Sequence, residues 1–408
     1  MHFFEENSSP PELPARKLQH WDELPLFLRQ KANTVLEEIR KTLTQLGYDD
    51  LSTFAQAIES GAVEVERAQQ ILGMVTVLKE VITQRPVMWS GVEKMDNMLS
   101  PAPIIDVAVT QFGDVILVSG ERVYRADRRS GALKELTEMD PPLGRQSIIS
   151  VSSGGKVILW RSVQKSNGDI AEGVNDSILI VDMYSGTVAR QLFDDGTEGA
   201  ITYDDQARSV IRTTSKFLGN STTTALQVDT LAIEPVEVAG GGQDCKISRI
   251  FREYIFYKKR STNRLWVRDT VKSTDVELGN VRASFSGSDS VYLVVIQDLR
   301  EQLHRYFPET GTRRVVFEQP SFIIDQVLEN PFNPAEVLIK GHLFDESTDL
   351  YVVNVLKQKT VWKHRIRQVL DSKGFPIFDV SAAFLPQRGL VIVKGDNEIL
   401  FFGEHTNQ

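Results

Sequence analysis

Two hydrophobic periods divide the chain, and the change falls near Arg85–Pro86. Before it, Leu28, Ala32, Val35, Ile39, Leu43 and Leu46 recur at steps of three and four, so they share one face of a helix. Gly47 ends that helix. Asp49 or Asp50 caps a second, with Leu51, Phe54, Ala55 and Ile58 as its stripe. Beyond Ser60–Gly61, a third helix is marked by Val65, Ala68, Ile71, Leu72, Val75, Leu78 and Ile82. Residues 21–85 therefore read as a three-helix unit. Residues 1–20 contain Pro10, Pro11 and Pro14 with few apolar side chains and read as an extended segment. A bundle this small is marginal alone. The stripe of Leu28, Val35, Ile39, Leu43 and Leu46 is thus a candidate docking or oligomerisation face.

After Pro86 the period is that of strands. "GDVILVSGERVYRADRRSGALKEL" (residues 113–136) runs strand, tight turn, strand, Asp-x-x-Ser-Gly turn, strand, which is a meander of antiparallel hairpins. The pattern returns. Asp127, Asp182, Asp229, Asp269, Phe307, Asn354 and Phe402 anchor seven successive units with a mean spacing close to 46 residues. Each anchor is preceded by a short strand, a turn and a strongly apolar strand, as in "IIDVAVTQFGDVILVS" from Ile104 and "FIIDQVLENPFNPAEVLIK" from Phe322. The last unit has three strands, and Pro86–Val92, just before the first unit, is expected to supply its fourth. That pairing would close the repeat on itself and leave no open sheet edge there.

Seven four-stranded meanders of this period resemble the β-propeller superfold, of the general kind seen in WD-repeat and quinoprotein-like propellers. The resemblance implies a mainly β chain, a seven-bladed β-propeller over residues 86–408 preceded by the small helical unit. The Trp-Asp and Gly-His pairs of WD repeats are absent: Trp266 stands three residues before Asp269. The repeat identifies an architecture and not an activity.

Composition narrows the function classes. Net charge is −9, whereas a nucleic-acid-binding chain usually carries a basic excess; nucleic acid is not the expected partner. The basic runs Lys258–Arg264, Arg125–Arg129 and Lys363–Arg367 fit the outward face of strands. One cysteine, Cys245, in 408 residues precludes an intramolecular disulfide and fits a reducing compartment. The N-terminus has no signal-peptide pattern, and no apolar run is long enough to span a membrane. The expected setting is the cytoplasm, or a particle assembled there, and not secretion.

No compact catalytic motif emerges. The six histidines are not paired at metal-ligand spacing. Gly240–Gly242 lacks the Lys-Ser/Thr ending of a phosphate loop. Cys245 has no nearby histidine to activate it. No cofactor or metal is implied. The remaining candidates are Asp106, Asp325 and Asp379, which occupy the same place in "IIDV", "IIDQ" and "IFDV". They would ring the channel mouth, where like charges would raise the pKa of at least one, or each would bond backbone at a strand end.

The favoured reading is a non-enzymatic protein–protein interaction scaffold, or a structural subunit of a larger assembly, with the helical unit as the docking or self-association element. The alternatives are an enzyme or small-ligand or cation binder using the channel mouth, and a phage virion component.

Overall fold

The computed structural model describes residues 26–63, 67–68, 71–75, 78, 89–102, 104–110, 114–119, 122–126, 132–138, 146–151, 156–164, 174–183, 186–193, 199–204, 209–215, 221–235, 245–259, 261–343, 347–366, 369–370, 376–377, 380–385, 389–393 and 397–404. The chain divides into two compact units at Arg85/Pro86.

In the first unit, α1 spans Leu26–Gln45 and α2 spans Leu51–Glu59. Gly47, at φ +82°, follows α1. Asp50 is the cap of α2: its carboxylate accepts the Thr53 N–H at 2.8 Å, and the Thr53 hydroxyl accepts the Asp50 N–H at 3.3 Å. This reciprocal pair satisfies two donors that the first helical turn would otherwise leave open. Further helical residues lie at 67–68, 71–75 and 78. Val35, Ile39 and Leu43 are buried together with Phe54, Ile71 and Met74.

The second unit is a seven-bladed β-propeller. Its seven four-stranded sheets have innermost strands Ile104–Val109, Gln146–Val151, Gly199–Asp204, Cys245–Phe251, Val281–Ser286, Phe322–Glu329 and Ser381–Leu385, for blades one to seven. Within each of blades one to six the strands follow in chain order, antiparallel throughout. A two-stranded hairpin, Val369–Leu370 with Pro376–Ile377, lies between blades six and seven.

Blade packing explains the sequence pattern. Each blade is sandwiched between two others, so its second strand is covered on both faces. Val115–Ser119 is buried at every position, and such strands read as continuous apolar runs rather than alternating ones. The outermost strands meet solvent, and Val188–Phe193 alternates exposed and half-buried. The cores lie between blades. Tyr292, Val294 and Leu303 of blade five pack with Ile324, Ile339 and Tyr351 of blade six. Ile104 and Leu117 of blade one pack with Leu385 and Val391 of blade seven.

The ring is closed by Val92–Leu99, which pairs antiparallel with Glu398–Glu404, from Val92 opposite Glu404 to Leu99 opposite Glu398. The expected closing strand, Pro86–Val92, is placed too early: the strand begins at Val92, the last residue of that segment, and residues 86–88 lie outside the described residues. Trp89–Gly91 forms a 3-10 turn with Trp89 buried against Trp362 and Phe384. The strand starts where that turn ends. The more polar "VEKMDNML" suits an outermost strand, which has one open edge.

The repeated turn is equally specific. Gly186, Ser273, Gly311 and Gln358 have positive φ, each four residues after the anchors Asp182, Asp269, Phe307 and Asn354. Asp269 accepts the N–H groups of Val271 and Lys272 at 3.0 and 2.9 Å, the mechanical use of an acid at a turn. In blade three the equivalent pair is Gln227 and Leu231, joined by an N–H to carbonyl bond of 2.9 Å. Asp229 therefore stands two residues past the anchor position and instead pairs with Lys156 at 3.1 Å.

Candidate functional site

The innermost strands share a feature that the spacing alone did not reveal. In five of the seven, the pairing with the second strand slips by one residue. The residues before the slip are Ile104, Ile148, Ile247, Val281 and Ile324. The extra residues are Ile105, Ile149, Ser248, Arg282 and Asp325. A β-bulge leaves one residue outside the ladder and re-aims its side chain.

That slip distinguishes two members of the expected aspartate ring. Asp325 is itself the bulged residue of blade six, whereas Asp106 is the first paired residue after the bulge of blade one, opposite Val118. The two therefore hold different positions relative to the bulge. Their partners differ accordingly. Asp106 accepts the Ser381 hydroxyl of blade seven and the Val107 N–H. Asp325 lies 2.7 Å from Nδ1 of His342 on the second strand of its own blade. Asp379 lies outside the described residues. Among the described residues no contact joins Asp106 to Asp325, and no group of three metal-ligating side chains forms.

Polar groups on the inner three strands of the blades join one blade to the next. Lys258 Nζ of blade four donates to the Arg282 carbonyl of blade five at 3.0 Å. Arg282 pairs with Glu301 and donates to the Ile324 carbonyl of blade six, while Glu301 accepts the Ile324 N–H at 2.7 Å. Lys340 Nζ donates to the Val380 carbonyl at 2.7 Å, where blade seven begins. Ser381 to Asp106 continues the series into blade one. The sequence does carry a signal for part of this, since Lys258 and Lys340 each follow an apolar run. Arg282 and Glu301 give no such sign, because their partner lies on another repeat.

Arg249, the residue after the bulge in blade four, is arranged differently. Its NH1 donates to Ser286 Oγ at 2.5 Å and its NH2 to the Ser284 carbonyl at 3.0 Å, both in blade five. Ser248 and Ser284 share a hydroxyl–hydroxyl bond of 3.1 Å beside it. Nε is enclosed with no acceptor. Burial pushes the guanidinium down to about 10, because desolvation disfavours the charged form. Among the described residues no carboxylate faces it. Arg282, Arg305 and Arg365, by contrast, meet Glu301, Asp289 and Asp349.

The helical stripe is also placed. Val35, Ile39 and Leu43 are buried and Leu46 is half-buried, so this face is already closed off within the chain; the side chain of Leu28 lies outside the described residues. The described members of the basic runs are engaged. Arg125 pairs with Asp114 at 2.7 Å, Arg264 with Glu277, and Lys363 and Arg365 with Asp349. Lys259 Nζ stands 3.7 Å from the centroid of Trp266, a cation–π contact. Cys245 is buried, the usual place of a free cysteine.

No protein-family model matches the chain, and no curated protein matches it in sequence. Solved structures do match in shape. An oligogalacturonate lyase from Vibrio parahaemolyticus is 12% identical with a TM-score of 0.50, over 76% of this chain and 93% of that one. A chain of the mitotic checkpoint complex is 13% identical with a TM-score of 0.49, over 79% and 96%. U3-55K is 13% identical with a TM-score of 0.46, over 78% and 100%. At these identities the likeness to the lyase establishes the propeller fold alone. No described helix is long and apolar enough to cross a membrane.

Proposed function

We propose that the protein is a non-catalytic protein-interaction module, a rigid ring whose hairpin tips meet a protein partner, either as an adaptor or as a subunit of a larger assembly in the cytoplasm. The observation that carries this reading is Leu299. It occupies the two-residue turn between Val291–Gln297 and Arg300–Phe307 of blade five, where Asp298 and Leu299 have φ of 50° and 61°. Positive φ at both central residues is the condition of a type I′ turn, which favours Asn-Gly. A leucine there costs about 1 kcal/mol in backbone strain, and Leu299 is 100% exposed. The chain gains no packing in return, as expected of a side chain held out for another molecule.

Two further tips support it at the other end of the blades. Val271 and Leu356 occupy the same turn position in blades four and six and are 79% and 74% exposed. The helical unit is the proposed second docking or self-association element. Because its main stripe is buried, it would engage through its outer surface, where Leu51 is exposed.

The test places a photo-crosslinking residue at position 299 in native cells, identifies the captured protein, and measures its binding to purified wild type and Leu299→Asn. Asparagine tolerates positive φ, so the variant should be at least as thermally stable as wild type while binding at least tenfold more weakly. Unchanged affinity in Leu299→Asn would overturn the reading.

A further inference from the structure

We propose that Arg249, Ser248, Ser284 and Ser286 form a binding site for a small oxyanion, a phosphate or carboxylate group, on the inner strands of blades four and five. Three observations carry it. First, the cluster is rich in donors. A guanidinium has five N–H groups and each serine one O–H. Only two of the N–H groups are committed, to Ser286 Oγ and the Ser284 carbonyl. The Ser286 hydroxyl accepts from Arg249 and keeps its own proton, and the Ser248–Ser284 pair shares one of its two.

Second, the positive charge is uncompensated among the described residues. Among the described residues Arg249 has no carboxylate partner, although the protein as a whole is strongly acidic, at −9. Arg249 is half-buried with its Nε enclosed, and a cation drawn out of water is normally paired. Third, Arg249 is placed by the bulge between Ile247 and Arg249, so the fold itself holds the group at the seam of two blades. Planar bidentate recognition of phosphate or carboxylate is the chemistry to which arginine is best fitted. Rotation of the guanidinium toward an anion would also give Nε–H the acceptor it lacks.

The site is independent of the Leu299 reading, and its test does not involve the hairpin tips. Inorganic phosphate and malonate are titrated separately into the full-length protein by calorimetry, with Arg249→Met and Ser286→Ala alongside. Saturable one-to-one binding of either probe is expected, and the better probe identifies the ligand class. Arg249→Met should lose binding at least tenfold and Ser286→Ala several-fold. Arg249→Met should retain or raise the melting temperature without anion, since a half-buried cation with an enclosed, unbonded Nε is replaced by a neutral side chain. Should Arg249→Met fail to fold, Ser286→Ala and Ser248→Ala supply the comparison. Absence of saturable binding, or equal binding and equal thermal stabilisation in wild type and variants, would overturn the proposal.

Discussion

Asp349 is fully buried in blade six, and its carboxylate receives Arg365 through Nε at 2.7 Å and NH2 at 3.1 Å. Lys363 Nζ at 3.1 Å and the Tyr351 hydroxyl at 3.1 Å complete its surroundings. Burial raises its pKa, but the bonds from Arg365, Lys363 and Tyr351 outweigh it and hold the carboxyl below the usual range. A depressed carboxylate contributes stability that is present above the unfolded value of about 3.9 and lost as pH falls through the folded one. Asp349→Asn should cost about 2–3 kcal/mol at neutral pH, below the roughly 3–5 kcal/mol of a fully buried broken pair, because both cations reach solvent. Urea unfolding at pH 7 and pH 3 checks this, and the difference between variant and wild type should shrink at the lower pH.

His304 of blade five is buried, with Nε2 at 3.0 Å from Gln302 Oε1. Burial, aided by the Arg313 charge, pushes it down to about 4. Between pH 6.5 and 4 the unfolded chain holds a proton that the folded chain refuses. Stability should therefore be complete above pH 6.5 and decline by about 3 kcal/mol as pH falls to 4. His304→Leu should flatten that slope. An unchanged slope in denaturant titrations would assign the effect to other groups.

Gly341, on the second strand of blade six, is set by space rather than by φ. An added Cβ would meet the Ile323 carbonyl oxygen at 2.1 Å and the Phe322 ring at 2.4 Å. Gly341→Ala should destabilise by about 3 kcal/mol or more, as backbone cannot yield cheaply. Gly311, at φ +68° with nothing within 4 Å, makes the contrast: Gly311→Ala should cost only about 1 kcal/mol of backbone strain. Thermal unfolding of the pair distinguishes crowding from conformation.

Closure gives a prediction at the level of the whole ring. A chain beginning at Pro86 keeps the strand Val92–Leu99 and should unfold cooperatively. A chain beginning at Ser100 removes that strand and leaves Glu398–Glu404 with a bare edge, a template for association. It should melt at least 10 °C lower and aggregate. Circular dichroism melts with size-exclusion chromatography check both, and equal behaviour of the two chains would show that the closing strand is dispensable.

Local chemistry made much of the architecture legible. Apolar runs, turn residues and their spacing are properties of neighbours in sequence, so the seven units, the helical unit and the boundary at Arg85/Pro86 could be read directly. The glycine turns after Asp182 and Phe307 were visible for the same reason, whereas Ser273 and Gln358 take the same positive φ with no glycine to announce it. Even the bulge left a trace, in the β-branched residue that precedes it in each of five inner strands.

Relationships between repeats were not legible in this way. Asp106 and Asp325 look equivalent in "IIDV" and "IIDQ", but a one-residue slip in pairing separates them, and pairing belongs to the partner strand. Arg249, Arg282, Glu301 and Lys340 acquire their roles only from the blade beside their own. The sequence by itself determined which segments are strands, how many blades they make and where they turn, because those follow from periodicity and backbone preference. Only the tertiary structure decided which side chains staple the blades, which strand closes the ring and which hydroxyl and carbonyl groups surround Arg249. Those outcomes depend on distances between residues tens of positions apart, and no local preference specifies them.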